Sequence, residues 1–235
     1  MQKPFIDLKM KISIVIPVYN EEKTVQETIA KVSQIPFEKE ILVIDDGSTD
    51  KTPEVLRSLQ GNSLILLRHE QNKGKGAALR TGFSKVTGDI ILIQDADLEY
   101  NPEDYPALLQ PILEGKADVV YGSRFLGGPH RVLFFWHYAG NRFLTLLSNI
   151  LSNLNLSDME TGYKVFKKEV LNQIKLKSNR FGFEPEFTIK IAKKKMRVYE
   201  VPISYYGRDY SEGKKITWKD GFAAIYALFR FWIWD

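Results

Sequence analysis

Two aspartates separated by one small residue, Asp95-Ala96-Asp97, follow the apolar run DIILIQ. Two carboxylates at that spacing converge on one hard cation when they stand at a strand end. Oxygen ligands select Mg²⁺ or Mn²⁺, and Mg²⁺ commonly takes one or two carboxylates with substrate phosphates completing its shell. Glu99, two positions on, is a third candidate ligand. The plainer alternative is an Asp turn that caps the next helix. Two more polar clusters follow apolar runs in the same way: Pro17-Val18-Tyr19-Asn20-Glu21 and Asp45-Asp46-Gly47-Ser48-Thr49-Asp50. A basic glycine-rich turn, Lys73-Gly74-Lys75-Gly76, opens a helical stretch. Its N–H groups and lysines either meet phosphate or order a loop.

These clusters form one constellation only if the runs before them are parallel strands, since open parallel sheets bind ligands beyond the carboxyl ends. The pattern predicts strands at 12–17, 40–44, 64–67, 89–93 and 119–121. Between them, apolar residues at helical spacing predict helices at 21–34, 52–59, 74–85 and 102–113. Strands alternating with helices imply right-handed βαβ units in a mostly parallel α/β sheet. After about residue 124 the rhythm changes. A long aromatic helix is expected at 134–154, strands at 162–166 and 197–204, and a helix at 186–194.

With 235 residues, the chain is long enough for one elaborated domain. It has no Cys, which excludes a disulfide framework, a thiolate metal site and a cysteine nucleophile. There is no GxGxxG fingerprint and no GxxxxGK[ST] phosphate loop. The net charge is +4, but residues 164–219 carry fifteen Lys or Arg against six Asp or Glu. That bias fits either a solvated basic face or attraction to an anionic surface. No nucleic-acid module accompanies it, so nucleic acid is not an expected partner. His69 and His130 are expected at the surface or in turns. No signal peptide is expected at the N-terminus, and no run reaches the length of a spanning helix. The apolar C-terminal segment 221–235 either closes the core or lies at a membrane interface with Trp232 and Trp234 at headgroup depth.

Taken in order, IPVYNEE, DDGSTDKT, NKGKGAALRTG and QDADLEY resemble a family 2 inverting glycosyltransferase of the GT-A fold. GSRFLGG, HYAGNRFLTLLSN, SDMETGYKVF, RFGFEPEF and EVPISYYGRDYSEGKK narrow the resemblance to the polyprenyl-phosphate (dolichyl- or undecaprenyl-phosphate) mannosyl- and glucosyltransferases. It covers residues 11–220, so a catalytic domain is expected at 1–220, with acceptor-side helices in its C-terminal half and the apolar helix 221–235 appended.

The resemblance implies a Rossmann-like sheet and transfer of a hexose, glucose or mannose, from a UDP- or GDP-sugar to a polyprenyl phosphate. It implies that Pro17, Tyr19 and Glu21 line the nucleotide base and ribose, and that Asp46 contacts the base. Asp95 and Asp97 would hold Mg²⁺ or Mn²⁺ and the nucleotide, Lys75 would serve the donor, and Arg208 would grip its diphosphate. Arg124 resembles an acceptor-phosphate ligand, with His137, Asn141, Arg142 and Thr145 on the helix that faces the same phosphate. A phosphate acceptor is already largely ionised and needs no strong base. A sugar hydroxyl would need one, and Asp158 and Glu160 are then the candidates, with Glu184 and Glu186 in an aromatic setting of Phe181, Phe183 and Phe187. The competing functions are a glycosyltransferase acting on a glycan hydroxyl and a non-catalytic scaffold of a membrane glycosylation complex. The aromatic stretch 132–138 (VLFFWHY) behind Arg131 suggests a lipid-facing surface. Peripheral attachment to the cytoplasmic face of a membrane is expected, with a homo-oligomer among the expected partners.

Overall fold

The computed structural model describes residues 10–59, 61, 64–127, 129–132, 134–208 and 218–234, the side chains of 218 and 219 excepted. The expected segments 1–9, Gly128, Leu133 and 209–217 lie outside the described residues. Seven strands form one sheet: β1 (Ile12–Val18), β2 (Lys39–Asp45), β3 (Leu64–Arg68), β4 (Ile90–Ile93), β5 (Val119–Ser123), β6 (Lys164–Lys167) and β7 (Val198–Pro202). Their spatial order is β3-β2-β1-β4-β6-β5-β7. β1 pairs in parallel with β2 and β4, β2 with β3, and β5 with β7, while β6 runs antiparallel to both of its neighbours. The mostly parallel α/β expectation holds, with one reversed strand inserted where the rhythm of the chain changes.

Period-2 alternation explains the near-continuous apolar strands. Ile12, Ile14, Ile16 and Val18 of β1, with Ile41 and Val43 of β2, face one layer. That layer holds α1 (Val25–Gln34), α2 (Thr52–Ser58) and α4 (Tyr105–Leu113), through Val25, Ile29, Leu56, Leu108 and Ile112. Val15, Leu42 and Ile44 face the other layer, formed by α3 (Lys75–Phe83), α7 (Phe183–Lys193) and α8 (Trp218–Trp234). A sheet covered on both faces needs apolar residues at every strand position. The short α6 (Glu169–Gln173) was not anticipated, since five residues carry too little periodicity to be read.

α5 (Phe135–Ser152) takes the place of the long aromatic helix and ends on Asn153 in the left-handed region, at φ 55°. α8 packs one stripe, Ala224, Ala227, Leu228 and Phe231, into the core against α7. Its opposite stripe, including Phe222, Tyr226, Ile233 and Trp234, is exposed. Core closure therefore describes one side of this helix and an exposed aromatic surface the other. Among the described residues no helix is long and apolar enough to cross a membrane.

The far end of the sheet from the polar clusters is fastened by Glu40. Its carboxylate accepts from Ser13 Oγ, the Thr87 amide and hydroxyl, and Lys11 Nζ. Burial opposes the charge, but donation from Ser13, Thr87 and Lys11 outweighs it and brings the carboxyl down to about 2. A depressed folded value makes the charged form stabilising above the ordinary value near 4.5, and that contribution is lost as pH falls toward 2. Glu40→Gln should cost about 2 kcal/mol at neutral pH. The gap to wild type should close on acidification, as measured by urea melts at stepped pH. A gap independent of pH would contradict this.

Candidate donor and acceptor site

The register Val18↔Asp45 brings the ends of β1 and β2 level. Asn20, at φ 52°, turns the chain after β1, its N–H donates to Ser48 Oγ, and its Oδ1 accepts from the Thr49 amide. Pro17 closes β1 half-buried, and Tyr19 and Glu21 follow on the same edge. Asp45 Oδ1 accepts from the Ser48 amide, which folds the DDGS turn.

Asp46, expected at the nucleotide base, is engaged by its own chain. It accepts from the Lys73 and Gly74 amides at 3.0 and 2.7 Å, and its Oδ1 lies 2.6 Å from His69 Nδ1. His69 Nε2 lies 2.9 Å from Thr81 Oγ1 on α3. His69, expected at the surface or in a turn, lies in the connection after β3 and is buried there, because Asp46 and Thr81 supply partners for both ring nitrogens. Gly47 completes the packing. Its φ is +71°, and a Cβ there would fall 2.5 Å from the Gln71 backbone. His69→Ala should leave a buried carboxylate short of a partner and cost about 1–3 kcal/mol. A fall in Tm checks this, and an unchanged Tm would show the link to be idle.

At the end of β4 the two aspartates carry different cations. Lys75 Nζ lies 2.9 Å from Asp95 Oδ1 and 3.1 Å from Glu184 Oε1 on α7. Gly162 is seated against the same carboxylate; a Cβ there would meet Asp95 Oδ2 at 2.2 Å, so a larger residue would have to displace the Asp95 side chain. Leu98, at φ 62°, turns the chain so that Asp97 and Glu99 both reach Arg208. The Arg208 guanidinium lies 3.2 Å from Asp97 Oδ2, 3.3 Å from Glu21 and 3.6 Å from Glu99. Burial, then the neighbouring Glu99 and Asp95 carboxylates, push Asp97 up to about 7 against the pull of Arg208. Glu99 also accepts from the Arg208 amide and, at Oε2, from Tyr205 OH at 2.8 Å.

Tyr205 joins this cluster to a second one. Its ring lies 5.1 Å beneath the Arg124 guanidinium. Arg124 donates through Nε and Nη2 to Asp158 at 2.6 and 2.7 Å, a bidentate pair whose carboxylate is fully buried. Asp158, a candidate base from sequence, has both oxygens on Arg124 and acts as its clamp. Glu200 of β7 fixes the turn by accepting from the Ser157 and Asp158 amides. Thr145 of α5 is buried and accepts from the Met159 amide, and Asn149 bonds Leu156 in both directions. Arg142 donates to Ser157 O at 3.4 Å, and Asn141 lies one turn before Thr145 on α5. His137 is half-buried near the start of α5, 5.5 Å from the Phe134 ring.

Glu160 keeps a buried Oε1 with no hydrogen-bond partner. Burial and the Glu184 carboxylate push its pKa up, while burial pushes the nearby Lys164 down. Lys164 Nζ donates to the Met159 and Thr161 carbonyls and so holds the SDMETG turn from below. Glu186, the other aromatic-flanked acid, binds Lys190 and the Lys177 and Ser178 amides, a structural assignment.

The sequence reading missed His69, Tyr205, Lys164 and Glu200. His69, Tyr205 and Glu200 act through partners distant in the chain, so no local spacing signals them; Lys164 bonds carbonyls three and five residues back, but its inward turn depends on the buried fold around it.

A mostly parallel sheet with acidic strand ends and a crossing arginine defines the GT-A class of α/β nucleotide-sugar folds. Glucosyl-3-phosphoglycerate synthase from Mycobacterium tuberculosis, solved with Mn²⁺, UDP and phosphoglyceric acid, has the same fold with a TM-score of 0.76, at 21% identity over 96% of this chain and 79% of its own. The chain belongs to glycosyl transferase family 2, whose sequence model matches residues 13–175, and it is an enzyme of that family. It is similar to the UDP-N-acetylglucosamine–dolichyl-phosphate N-acetylglucosaminyltransferase of Methanococcus voltae, 29% identical over 92% of this chain and 94% of that protein. It is also similar to the dolichol-phosphate mannosyltransferase of Pyrococcus furiosus, 30% identical over 96% of this chain and 65% of that protein.

Proposed function

We propose that the enzyme transfers a sugar from a nucleoside-diphosphate donor to a polyprenyl phosphate. The observation that carries this reading is the pair of cationic centres joined by Tyr205: Arg208 among Glu21, Asp97 and Glu99, and Arg124 clamped by Asp158. One centre suits a departing diphosphate and the other an incoming phosphate. The names of the two dolichyl-phosphate relatives support the acceptor class.

In the proposed reaction an acceptor phosphate oxygen attacks the anomeric carbon from the face opposite the leaving group. The new C–O bond forms as the bond to the donor β-phosphate breaks, and the nucleoside diphosphate leaves with the electron pair. Arg208 offers a planar fork to the diphosphate, where negative charge develops. Arg124 and Arg142 reduce the repulsion between two anionic substrates. The acceptor brings an already ionised oxygen, so no proton need be removed by the chain.

Asp95 and Asp97 fit a divalent cation, since both are hard oxygen donors at one strand end and both already carry a cationic side chain. Among the described residues no three His, Asp or Glu gather as a ready metal cage. A carboxylate pair is what Mg²⁺ takes when substrate phosphates complete its shell. When bound with the donor, Mg²⁺ or Mn²⁺ would supply Lewis-acid stabilisation of the diphosphate. Lys75 would then exchange Asp95 for the donor phosphates, with Glu184 as its remaining anchor. Glu99, given its bonds to Tyr205 and Arg208, serves to hold the arginine in this reading.

A sugar hydroxyl acceptor is the second reading, favoured by the unpartnered, raised Glu160 carboxylate, which has the character of a base. A radiolabelled transfer assay with UDP- and GDP-linked glucose, mannose and N-acetylglucosamine separates the two. Label in the organic phase with a polyprenyl phosphate supports the first; label only in an aqueous glycan supports the second. The exposed aromatic faces of α5 and α8, including Phe135, Trp136, Tyr226 and Trp234, are the proposed contact with the cytoplasmic face of a membrane.

A further inference from the structure

A cavity of about 470 Å³ lies between the loop before α3, the loop before α7, and α8. Its lining includes three cationic side chains, Lys73, Arg180 and Arg230, and no carboxylate. Among the described residues none of the three forms an ion pair. The site is built on close backbone packing. A Cβ at Gly74 would fall 2.5 Å from the Asn179 carbonyl, and one at Gly76 equally close to the Ser178 carbonyl. Arg80 of α3 ties the two loops further, donating to the Ser178 carbonyl and Asn179 Oδ1. The cavity walls are therefore fixed while the three charges project into it.

The helix α8 explains what such a cavity is for. Ala223, Tyr226, Ala227 and Arg230 fall on one stripe, at the spacing i, i+3, i+4, i+7, and line the cavity. Phe222, Tyr226, Phe229 and Ile233 fall on the next stripe and are exposed. Tyr226 belongs to both. Concentrated positive charge thus borders an exposed apolar stripe on the same helix. This is the complement of an anionic amphiphile, with phosphate in the cavity and acyl chains along the aromatic side.

We propose that Lys73, Arg180 and Arg230 bind the phosphate of an anionic phospholipid headgroup. The headgroup fixes how the enzyme sits on the membrane. It also contacts the loop whose Lys73 and Gly74 amides bond Asp46, so the membrane surface is read two residues before Lys75, the residue proposed to meet the donor phosphates. This inference rests on the peripheral-membrane reading above.

Co-sedimentation of the full chain with phosphatidylcholine vesicles, with and without phosphatidylglycerol, tests it. Wild type should bind the phosphatidylglycerol vesicles more tightly. Arg180→Gln and Arg230→Gln should each weaken that binding about fivefold, the factor that corresponds to about 1 kcal/mol per basic side chain. The near-UV circular dichroism should not change. A double variant that binds phosphatidylglycerol vesicles as wild type does would overturn the headgroup site while leaving membrane attachment intact. Wild type that pellets with neither vesicle would overturn the membrane reading and this inference with it. Stabilisation by inorganic phosphate that is lost in the double variant, without vesicle binding, would assign the cavity to a soluble phosphate instead.

Discussion

Arg208→Ala should lower kcat by about 10²–10³-fold, the usual cost of removing one donor aimed at charge that develops in the transition state. The fold should survive, because Arg208 is only half-buried. Arg208→Lys should recover little of the loss. A lysine keeps the charge but cannot span Glu21, Asp97 and Glu99 with a planar fork. Removing the arginine also leaves three carboxylates facing one another, so donor affinity should fall with turnover. Steady-state transfer with labelled donor reads both. A variant within tenfold of wild type in kcat would remove Arg208 from the chemistry.

Asp158→Ala should destabilise the protein by about 3–5 kcal/mol, since it leaves the Arg124 charge desolvated without its partner. For a chain of this length that is a fall in Tm of about 6–20 °C. Arg124→Ala should cost a similar amount by stranding a fully buried carboxylate. Replacing both with apolar residues of similar volume should be milder than either single change, because no lone charge remains. Acceptor KM separates structure from function. Arg124→Lys should keep much of the stability and still raise acceptor KM, through loss of the bidentate geometry. An Asp158→Ala protein that melts with wild type would contradict the clamp.

Strand ends and apolar periodicity carry most of the fold, which is why β1, β2 and β4 and their polar clusters are legible in the sequence. Apolar alternation does not specify direction, so the reversal of β6 between β4 and β5 is invisible until the chain is folded. The same limit applies inside the site. That Asp95 and Asp97 stand at one strand end follows from spacing. That Asp95 rests on Lys75 and Asp97 on Arg208 does not, because those pairs are 20 and 111 residues apart in the chain. Asp46 and Asp158 are the clearest lessons. Both look like ligand-facing carboxylates in their motifs, and both are occupied by the chain itself, one by a loop and a histidine, the other by an arginine.

Electron paramagnetic resonance of Mn²⁺, titrated into the protein with UDP or GDP present, is the most direct test of the proposed donor site. Wild type should take up the ion only when the nucleotide is there, and the paired change Asp95→Asn with Asp97→Asn should abolish uptake. Equal Mn²⁺ binding by wild type and that variant would mean the ion is held by other groups, and the account of the donor site would be wrong.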